Sequence, residues 1–165
     1  GHFKDWERDD WIRAIDQNML TSIELIKAVI DSMVMKKFGR IVNITSGSVK
    51  SPIPELGLSN GARAGLTGFV AGIAREYAQY NVTINNLLPG QFNTARIEYL
   101  IESRSKNEGI STQKLRASLE RKNPSRRLGE ITEFGFACAW ICSAHSGYLV
   151  GQNILLDGGV FNSTQ

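Results

Sequence analysis

Apolar residues recur at intervals of three and four from about residue 9 to residue 36, which is the spacing of one face of an amphipathic helix. The stripe comprises Ile12, Ile15, Met19, Ile23, Ile26, Ile30 and Met33. The sequence KKFGR follows it and brings cations and Gly39, both typical of a helix C-terminus. The pattern therefore predicts one long helix that Gly39 caps.

Three short apolar segments alternate with helical patterns along the chain. RIVNIT follows the first helix, NVTINNLLPG follows a helical pattern over 60–79, and NILLDGG follows a pattern that begins at Glu130. Short, β-rich runs that are apolar on both faces are typical of strands buried in parallel sheets. The alternation predicts an α/β fold with three parallel strands, each preceded by a helix.

Residues 93–127 form a polar segment after the second strand. Their pattern predicts two short helices separated near residues 107–109. Because ligands of open α/β sheets lie beyond the carboxyl ends of the strands, the segment is a candidate substrate lid. A solvated helical insertion explains the same charge pattern, and both interpretations stay open.

The predicted helix over 60–79 carries a ridge of four glycines, Gly61, Gly65, Gly68 and Gly72. A glycine inside a helix costs about 1 kcal/mol relative to alanine, so close packing must compensate. The ridge admits a helix of the same subunit or of a second copy. Because the opposite stripe already serves the core, we favour a second copy. We predict a homodimer or homotetramer that associates through helices 10–36 and 60–79.

Composition excludes several classes of protein. The 165 residues, 42% of them hydrophobic, suffice for one domain with a core. The net charge is only +3, and the basic residues are spread along the chain without interleaved aromatic residues, so we predict no nucleic-acid binding. No apolar run approaches the ~18 residues of a membrane helix, and the N-terminus lacks a signal-peptide core. We predict a soluble protein without membrane association.

Metal-ligating and sulfur-containing residues are few. The two histidines, His2 and His145, cannot form a His/Cys metal cluster, so no metal site is predicted. Cys138 and Cys142 lie four residues apart in an apolar stretch, which predicts buried free thiols on one helix face rather than a disulfide. Free thiols favour a reducing, cytoplasmic location.

Four stretches, in chain order, resemble the landmarks of a known family. They are GRIVNITS, SNGARAGLTGFV, NVTINNLLPGQFNT and GQNILLDGG. Together they are similar to the short-chain dehydrogenase/reductases, in particular the 3-oxoacyl-[acyl-carrier-protein] reductase-like branch. The resemblance implies a doubly wound Rossmann-like sheet and an oxidoreductase that transfers hydride between NAD or NADP and a small carbonyl or alcohol substrate.

The family also has an N-terminal half with a glycine-rich turn, which holds the cofactor pyrophosphate at a helix N-terminus. No such strand, turn and helix occur in this sequence. We therefore expect residues 1–165 to form a partial domain, the C-terminal part of a longer reductase.

The resemblance implies roles for an asparagine of the first helix and for a serine that follows the first strand. Asn18 matches the asparagine that continues a proton relay through a water. Ser46 matches the serine that hydrogen-bonds the reacting carbonyl, a role that suits a hydroxyl held rigidly at the end of a buried strand. Ser48 is a second candidate for that role in the hydroxyl-rich sequence TSGS.

The turn after the second strand resembles the family's Pro-Gly-x-x-x-Thr motif. The resemblance implies that Pro89, Gly90 and Thr94 lie beside the nicotinamide and that Thr94 contacts its carboxamide. The backbone N–H of Phe92 is a candidate donor to the same group. A proline and a glycine give the strand a sharp exit and let the backbone approach a flat ring.

The family's Tyr-x-x-x-Lys pair is exchanged in this sequence. Thirteen residues after Ser46 stands Ser59 instead of the tyrosine, and four residues later stands Arg63 instead of the lysine. Four residues apart on a helix lie on one face, so the geometry of the pair is retained. A serine hydroxyl is a weak acid near neutral pH, and a guanidinium does not release its proton.

Two hypotheses follow from this exchange. In an atypical reductase, Ser46 orients the carbonyl, Arg63 holds the ribose, and Ser59 or a water replaces the tyrosine. In a catalytically inactive pseudoenzyme, the nucleotide pocket remains without turnover. Tyr99 in the candidate lid is a further candidate proton donor. Tyr77 lies eighteen residues beyond Ser59 on the same helix, about 27 Å away, and is excluded.

Overall fold

Helices and strands alternate in the computed structural model, which describes residues 1–164. The helices are α1 (Arg8–Ile15), α2 (Thr21–Met35), α3 (Gly57–Tyr77), α4 (Ala95–Glu108), α5 (Thr112–Lys122) and α6 (Ile131–Ile141). The strands are β1 (Gly39–Ile44), β2 (Val82–Pro89) and β3 (Asn153–Leu156), which form a parallel sheet in the order β1-β2-β3. The predicted α/β alternation is confirmed.

The core lies between the sheet and helices α2 and α3. Its buried members are Ile26, Ile30, Leu66, Val70, Ala74, Val82 and Ile84. β2 is the central strand and is buried from Val82 to Leu88. The prediction that β1 is buried too is wrong for residues 1–164, because β1 pairs with β2 alone and Ile44 is 55% exposed.

Three asparagines cross the sheet side by side. Asn43, Asn86 and Asn153 are register partners in β1, β2 and β3. Asn43 Nδ2 donates to Asn86 Oδ1 at 3.2 Å, and Asn86 Nδ2 donates to Asn153 Oδ1 at 2.8 Å. Because a slip of one residue moves each side chain to the other face, this ladder specifies the register of all three strands.

The first predicted helix is interrupted and ends differently from expectation. A π-helical segment, Asp16–Leu20, joins α1 to α2. Lys37, with φ 50°, ends α2: its N–H donates to Val34 O and that of Phe38 to Met33 O. The prediction that Gly39 caps this helix is therefore wrong. Gly39 begins β1, where a Cβ would lie 2.6 Å from Met33 Sδ.

The glycine ridge of α3 divides into two halves. A Cβ on Gly61 would lie 3.1 Å from Trp11, and one on Gly65 would lie 2.9 Å from Met19 Sδ. These two glycines therefore allow close packing of α3 against α1 and the π-helical segment of the same chain. A Cβ on Gly68 or Gly72 would meet no atom within 4 Å, so this half of the ridge is open.

Helix α6 differs from expectation in its exposure. Cys138 and Cys142 are free thiols, but Cys138 is only partly buried and Cys142 is exposed, so the prediction of two buried thiols is wrong. Burial and the neighbouring Cys138 raise the pKa of Cys142. Phe136 and Trp140 are exposed on the same helix.

No helix within residues 1–164 is long and apolar enough to cross a membrane. Within the same residues, no group of three or more His, Cys, Asp or Glu side chains is placed to hold a metal ion.

Candidate functional site

Polar residues meet where β1 and β2 end. Ser46 follows β1 and N-caps the 3₁₀ turn Gly47–Val49. A Cβ on Gly47 would lie 3.2 Å from the carbonyl oxygen of Pro89, so the turn packs closely on the end of β2. The structure thus places Ser46 next to the Pro89-Gly90 turn, although 42 residues separate Ser46 from Pro89 in the sequence.

The hydroxyl of Ser46 is held by Ser48. Ser46 Oγ accepts hydrogen bonds from the backbone N–H of Ser48 at 3.1 Å and from Ser48 Oγ at 2.8 Å. Ser48 is 3% exposed, whereas Ser46 is half-buried. Ser46 is therefore the accessible hydroxyl of the two, and Ser48 lies beneath it.

Ser59 and Arg63 share one face of α3, as predicted. Arg63 Nε donates to Ser59 Oγ at 3.1 Å. Arg63 Nη1 donates to the carbonyl oxygens of Ile44 and Thr45, at 3.0 Å each. Burial lowers the pKa of Arg63. Among residues 1–164, Arg63 Nη2 makes no hydrogen bond, so this amino group remains available to a ligand.

Gly90 is required by the close approach of β3 to the end of β2. Its N–H donates to Leu156 O at 2.8 Å. A Cβ at this position would lie 2.6 Å from the Cα of Asp157, which is backbone and cannot move aside. The Pro89-Gly90 turn is therefore fixed against the end of β3.

Phe92 and Thr94 leave donors unused after this turn. Asn93 N donates to Gly129 O, and Gly129 N donates to Gln91 O, in a parallel bridge that places the N–H of Phe92 on the opposite side. Thr94 N-caps α4 and accepts a hydrogen bond from Ile97 N at 3.4 Å, so its hydroxyl proton is free to donate.

Asn18 lies in the π-helical segment, which packs against α3. Its Nδ2 donates to Ala14 O at 3.0 Å. The structure does not bring Asn18 into hydrogen-bond contact with Ser46, Ser59 or Arg63 within residues 1–164. Single-turn π-helical insertions are frequent at functional sites. The apolar stripe gave no signal for this interruption, because its spacing of three and four continues through it.

The segment 93–127 contains the two predicted helices, α4 and α5, and Gly109 ends α4 with φ 68°. Arg116 of α5 donates to Asn93 Oδ1 at 3.2 Å and forms an ion pair with Glu98. The segment is thereby attached to the turn that carries Phe92 and Thr94. Tyr99 is 69% exposed on α4.

A second group of polar residues lies beside Phe92 and escaped the sequence analysis. Arg127 makes two hydrogen bonds of 2.6 Å to the carboxylate of Glu133. These bonds, together with the backbone N–H of Glu130, lower the pKa of Glu133 to about 2. Arg127 and Glu133 line an open pocket with Phe92 and Asp157. Charge alone did not reveal this pair, because Arg127 ends the polar segment 93–127 and Glu133 lies six positions later in α6.

The carboxyl end of the sheet is therefore the candidate site. Ser46, the tethered Arg63 and the Pro89-Gly90 turn surround the ends of adjacent parallel strands, which is where Rossmann-like α/β proteins bind their ligands. The fold and the site together define a protein of that class.

Comparison with known proteins identifies the family. A family model described as enoyl-(acyl carrier protein) reductase matches residues 1–161. The acetoacetyl-CoA reductase of Cupriavidus necator is 34% identical over 160 residues, and the 3-oxoacyl-[acyl-carrier-protein] reductase FabG of Haemophilus influenzae is 32% identical over 157 residues. The chain belongs to the short-chain dehydrogenase/reductase family and is similar to its 3-oxoacyl-[acyl-carrier-protein] reductases.

A solved structure agrees with this assignment. YwfH, described as an NADPH-dependent reductase involved in bacilysin biosynthesis, superimposes with a TM-score of 0.90 at 28% sequence identity. The match covers 98% of this chain and 62% of YwfH. The matches to the two curated relatives cover 96% and 94% of this chain and 60% of each relative.

Proposed function

We propose that the protein is an NAD(P)-dependent oxidoreductase that interconverts a small carbonyl compound and its alcohol at the carboxyl end of β1. The observation that carries this proposal is the Ser46 hydroxyl, whose two acceptor positions are filled by Ser48. Ser46 is left with its proton as a donor, which suits the carbonyl oxygen of a substrate. The two curated relatives and YwfH are all reductases, which supports the same reaction class.

Three unused donors support the cofactor assignment. The N–H of Phe92 and the hydroxyl of Thr94 suit the carboxamide of a nicotinamide, and Arg63 Nη2 suits a ribose hydroxyl. Gly90 holds the turn that precedes Phe92 and Thr94 against the end of β3, because a Cβ at this position would collide with Asp157. When bound, the cofactor supplies or accepts the hydride.

Proton transfer in this proposal depends on Ser59. Its Oγ accepts from the charged guanidinium of Arg63, which leaves the hydroxyl proton free and favours negative charge on the oxygen. Ser59, or a water that it holds, gives the proton to the substrate oxygen. Arg63 acts through its fixed charge and its hydrogen bonds, and its own proton stays in place.

A pseudoenzyme is the second candidate function. The contacts of Arg63 with the carbonyls of Ile44 and Thr45 favour it, because they give this residue a structural role that needs no turnover. The absence of a tyrosine at position 59 favours it as well. In that case the site binds a nucleotide without transferring hydride.

A hydride-transfer assay with NADH and NADPH separates the two functions. We expect the full-length wild-type protein to reduce a short 3-oxoacyl thioester, and Ser46→Ala to lower kcat about 10²-fold or more, as the loss of an oxyanion donor does. The pseudoenzyme is supported if wild-type protein binds nucleotide without turnover and the double variant Ser59→Tyr/Arg63→Lys gains activity. Ser51→Ala, an exposed serine of the same loop, is the matched control.

The oligomeric state belongs to this proposal too. We propose a homodimer or homotetramer that associates through helices 10–36 and 60–79. The open positions of Gly68 and Gly72 support close approach by a helix of a second copy. The contacts of Gly61 and Gly65 with Trp11 and Met19 limit that surface to the second half of the ridge.

The segment 93–127 is proposed as the substrate lid. The attachment of Arg116 to Asn93 supports this assignment, since it links α5 to the turn beside the site. The exposed side chain of Tyr99 lies on α4, the helix that begins directly after Thr94.

A further inference from the structure

Ser48 is a buried serine that has no direct role in the proposed reaction. It is 3% exposed and lies in the 3₁₀ turn that follows Ser46. Its hydroxyl donates to Ser46 Oγ at 2.8 Å, the usual distance for a hydrogen bond between two hydroxyl groups. Because Ser48 is buried beneath Ser46, it is suited to act on that residue rather than on a substrate.

We propose that Ser48 is a positioning residue that directs the hydroxyl proton of Ser46 toward the substrate carbonyl. This inference rests on the proposed function. A serine hydroxyl offers one proton and two lone pairs. Ser48 fills both acceptor positions of Ser46, one with its backbone N–H and one with its hydroxyl. The Ser46 hydroxyl can then form one further hydrogen bond, in which it is the donor.

Backbone contacts of the 3₁₀ turn hold Ser46 and Ser48 in this arrangement. Gly47 lies against the carbonyl of Pro89, and Val49 N and Lys50 N donate to Ser46 O and Gly47 O. The backbone that carries both serines is thus fixed at the end of β1. Without the Ser48 hydroxyl, Ser46 would keep its bond to the Ser48 N–H, but its own proton would be free to rotate away from the substrate.

Kinetics of the Ser48→Ala variant test this role. We expect kcat to fall about tenfold, the effect of one net hydrogen bond, while KM and nucleotide affinity stay at the wild-type values. Ser51→Ala, an exposed serine of the same loop, should keep the wild-type kcat. A wild-type kcat in Ser48→Ala, or a loss confined to KM, would overturn the proposal.

Neutron diffraction from the deuterated wild-type protein provides a readout that needs neither activity nor a variant. The deuteron of Ser48 should lie between the two hydroxyl oxygens, and that of Ser46 should point away from Ser48. The reverse arrangement, with the Ser46 deuteron bound to Ser48 Oγ, contradicts the inference. Absence of hydride transfer in the wild-type protein counts against the proposed function instead, and the two failures are therefore distinguishable.

Discussion

Arg63 Nε donates a hydrogen bond to Ser59 Oγ, while Nη1 of the same guanidinium reaches the carbonyl oxygens of Ile44 and Thr45. One side chain thus attaches the first turns of α3 to the end of β1 and presents a charge to the hydroxyl at position 59. A lysine, with a single nitrogen, could not make these bonds from separate, rigidly spaced donors. The exchange of the family's Tyr-x-x-x-Lys pair is therefore a change of structure as well as of chemistry.

Replacing Arg63 should reduce stability as well as ligand binding. Arg63→Ala removes three hydrogen bonds of a charged donor, so we expect the free energy of unfolding to fall by about 1–3 kcal/mol. Urea denaturation measures this change. Arg75→Ala, on an exposed position of the same helix, should change it by less than about 0.5 kcal/mol. Equal stability of both variants would show that the hydrogen bonds of Arg63 contribute little to the free energy of unfolding.

Glycines at the two ends of α3 should respond oppositely to alanine. A Cβ at Gly57 would lie 2.4 Å from the ring of Trp6, so Gly57→Ala should destabilise the protein, while Gly72 has open space around it. Gly72→Ala should raise the free energy of unfolding of the monomer by about 0.5–1 kcal/mol through helix propensity. Thermal unfolding of dilute samples measures both changes.

The same Gly72→Ala variant tests the proposed association surface. If a helix of a second copy packs on this position, the added methyl group should weaken association while the monomer gains stability. Sedimentation equilibrium of the wild type and the variant measures the dissociation constant. Unchanged association would place the interface elsewhere.

Asn86 is the centre of the asparagine ladder and is completely buried. Asn86→Ala leaves the Asn43 amide and the Asn153 carbonyl oxygen without their partners, and we expect a loss of about 1–3 kcal/mol in the free energy of unfolding. Chemical denaturation measures this loss, with the exposed Asn162→Ala as control. A loss no greater than that of the control would show that the ladder contributes little.

The Arg127–Glu133 pair predicts a dependence of stability on acid pH. The pKa of Glu133 is about 2 in the folded protein, against an ordinary value of 4.5. The folded state binds this proton less tightly than the unfolded state. The ion pair therefore adds to the free energy of unfolding above pH 4.5, and this stabilisation is lost as the pH falls toward 2. NMR titration of the Glu133 carboxyl measures the pKa directly.

The Glu133→Gln variant is the matched test of this pH dependence. As the pH falls from 4.5 toward 2, its free energy of unfolding should fall less steeply than that of the wild type, since the substituted side-chain amide does not titrate. Glu102→Gln removes an exposed carboxylate of α4 that has no ion-pair partner among residues 1–164, and it should keep the wild-type slope. Identical slopes for all three proteins would contradict the assignment.

The order and type of the main elements follow from the sequence alone. The helical period of 3.6 and the short, β-rich apolar runs are local properties of the chain, and they located α3 and the three strands to within a few residues. The four-residue spacing of Ser59 and Arg63 likewise predicted that they share a helix face, because helix geometry alone fixes that relation. The ordered motifs also identified the family correctly.

The relations between distant segments depend instead on tertiary packing. The hydrogen bonds of Arg63 to Ile44 and Thr45 depend on how α3 sits on the sheet, and the asparagine ladder depends on strand register. The same holds for the contacts of Trp11 and Met19 with the glycine ridge, which the sequence had favoured for a second copy. Periodicity reports which face of an element is apolar, but the partner of that face is set by packing between elements far apart in the chain.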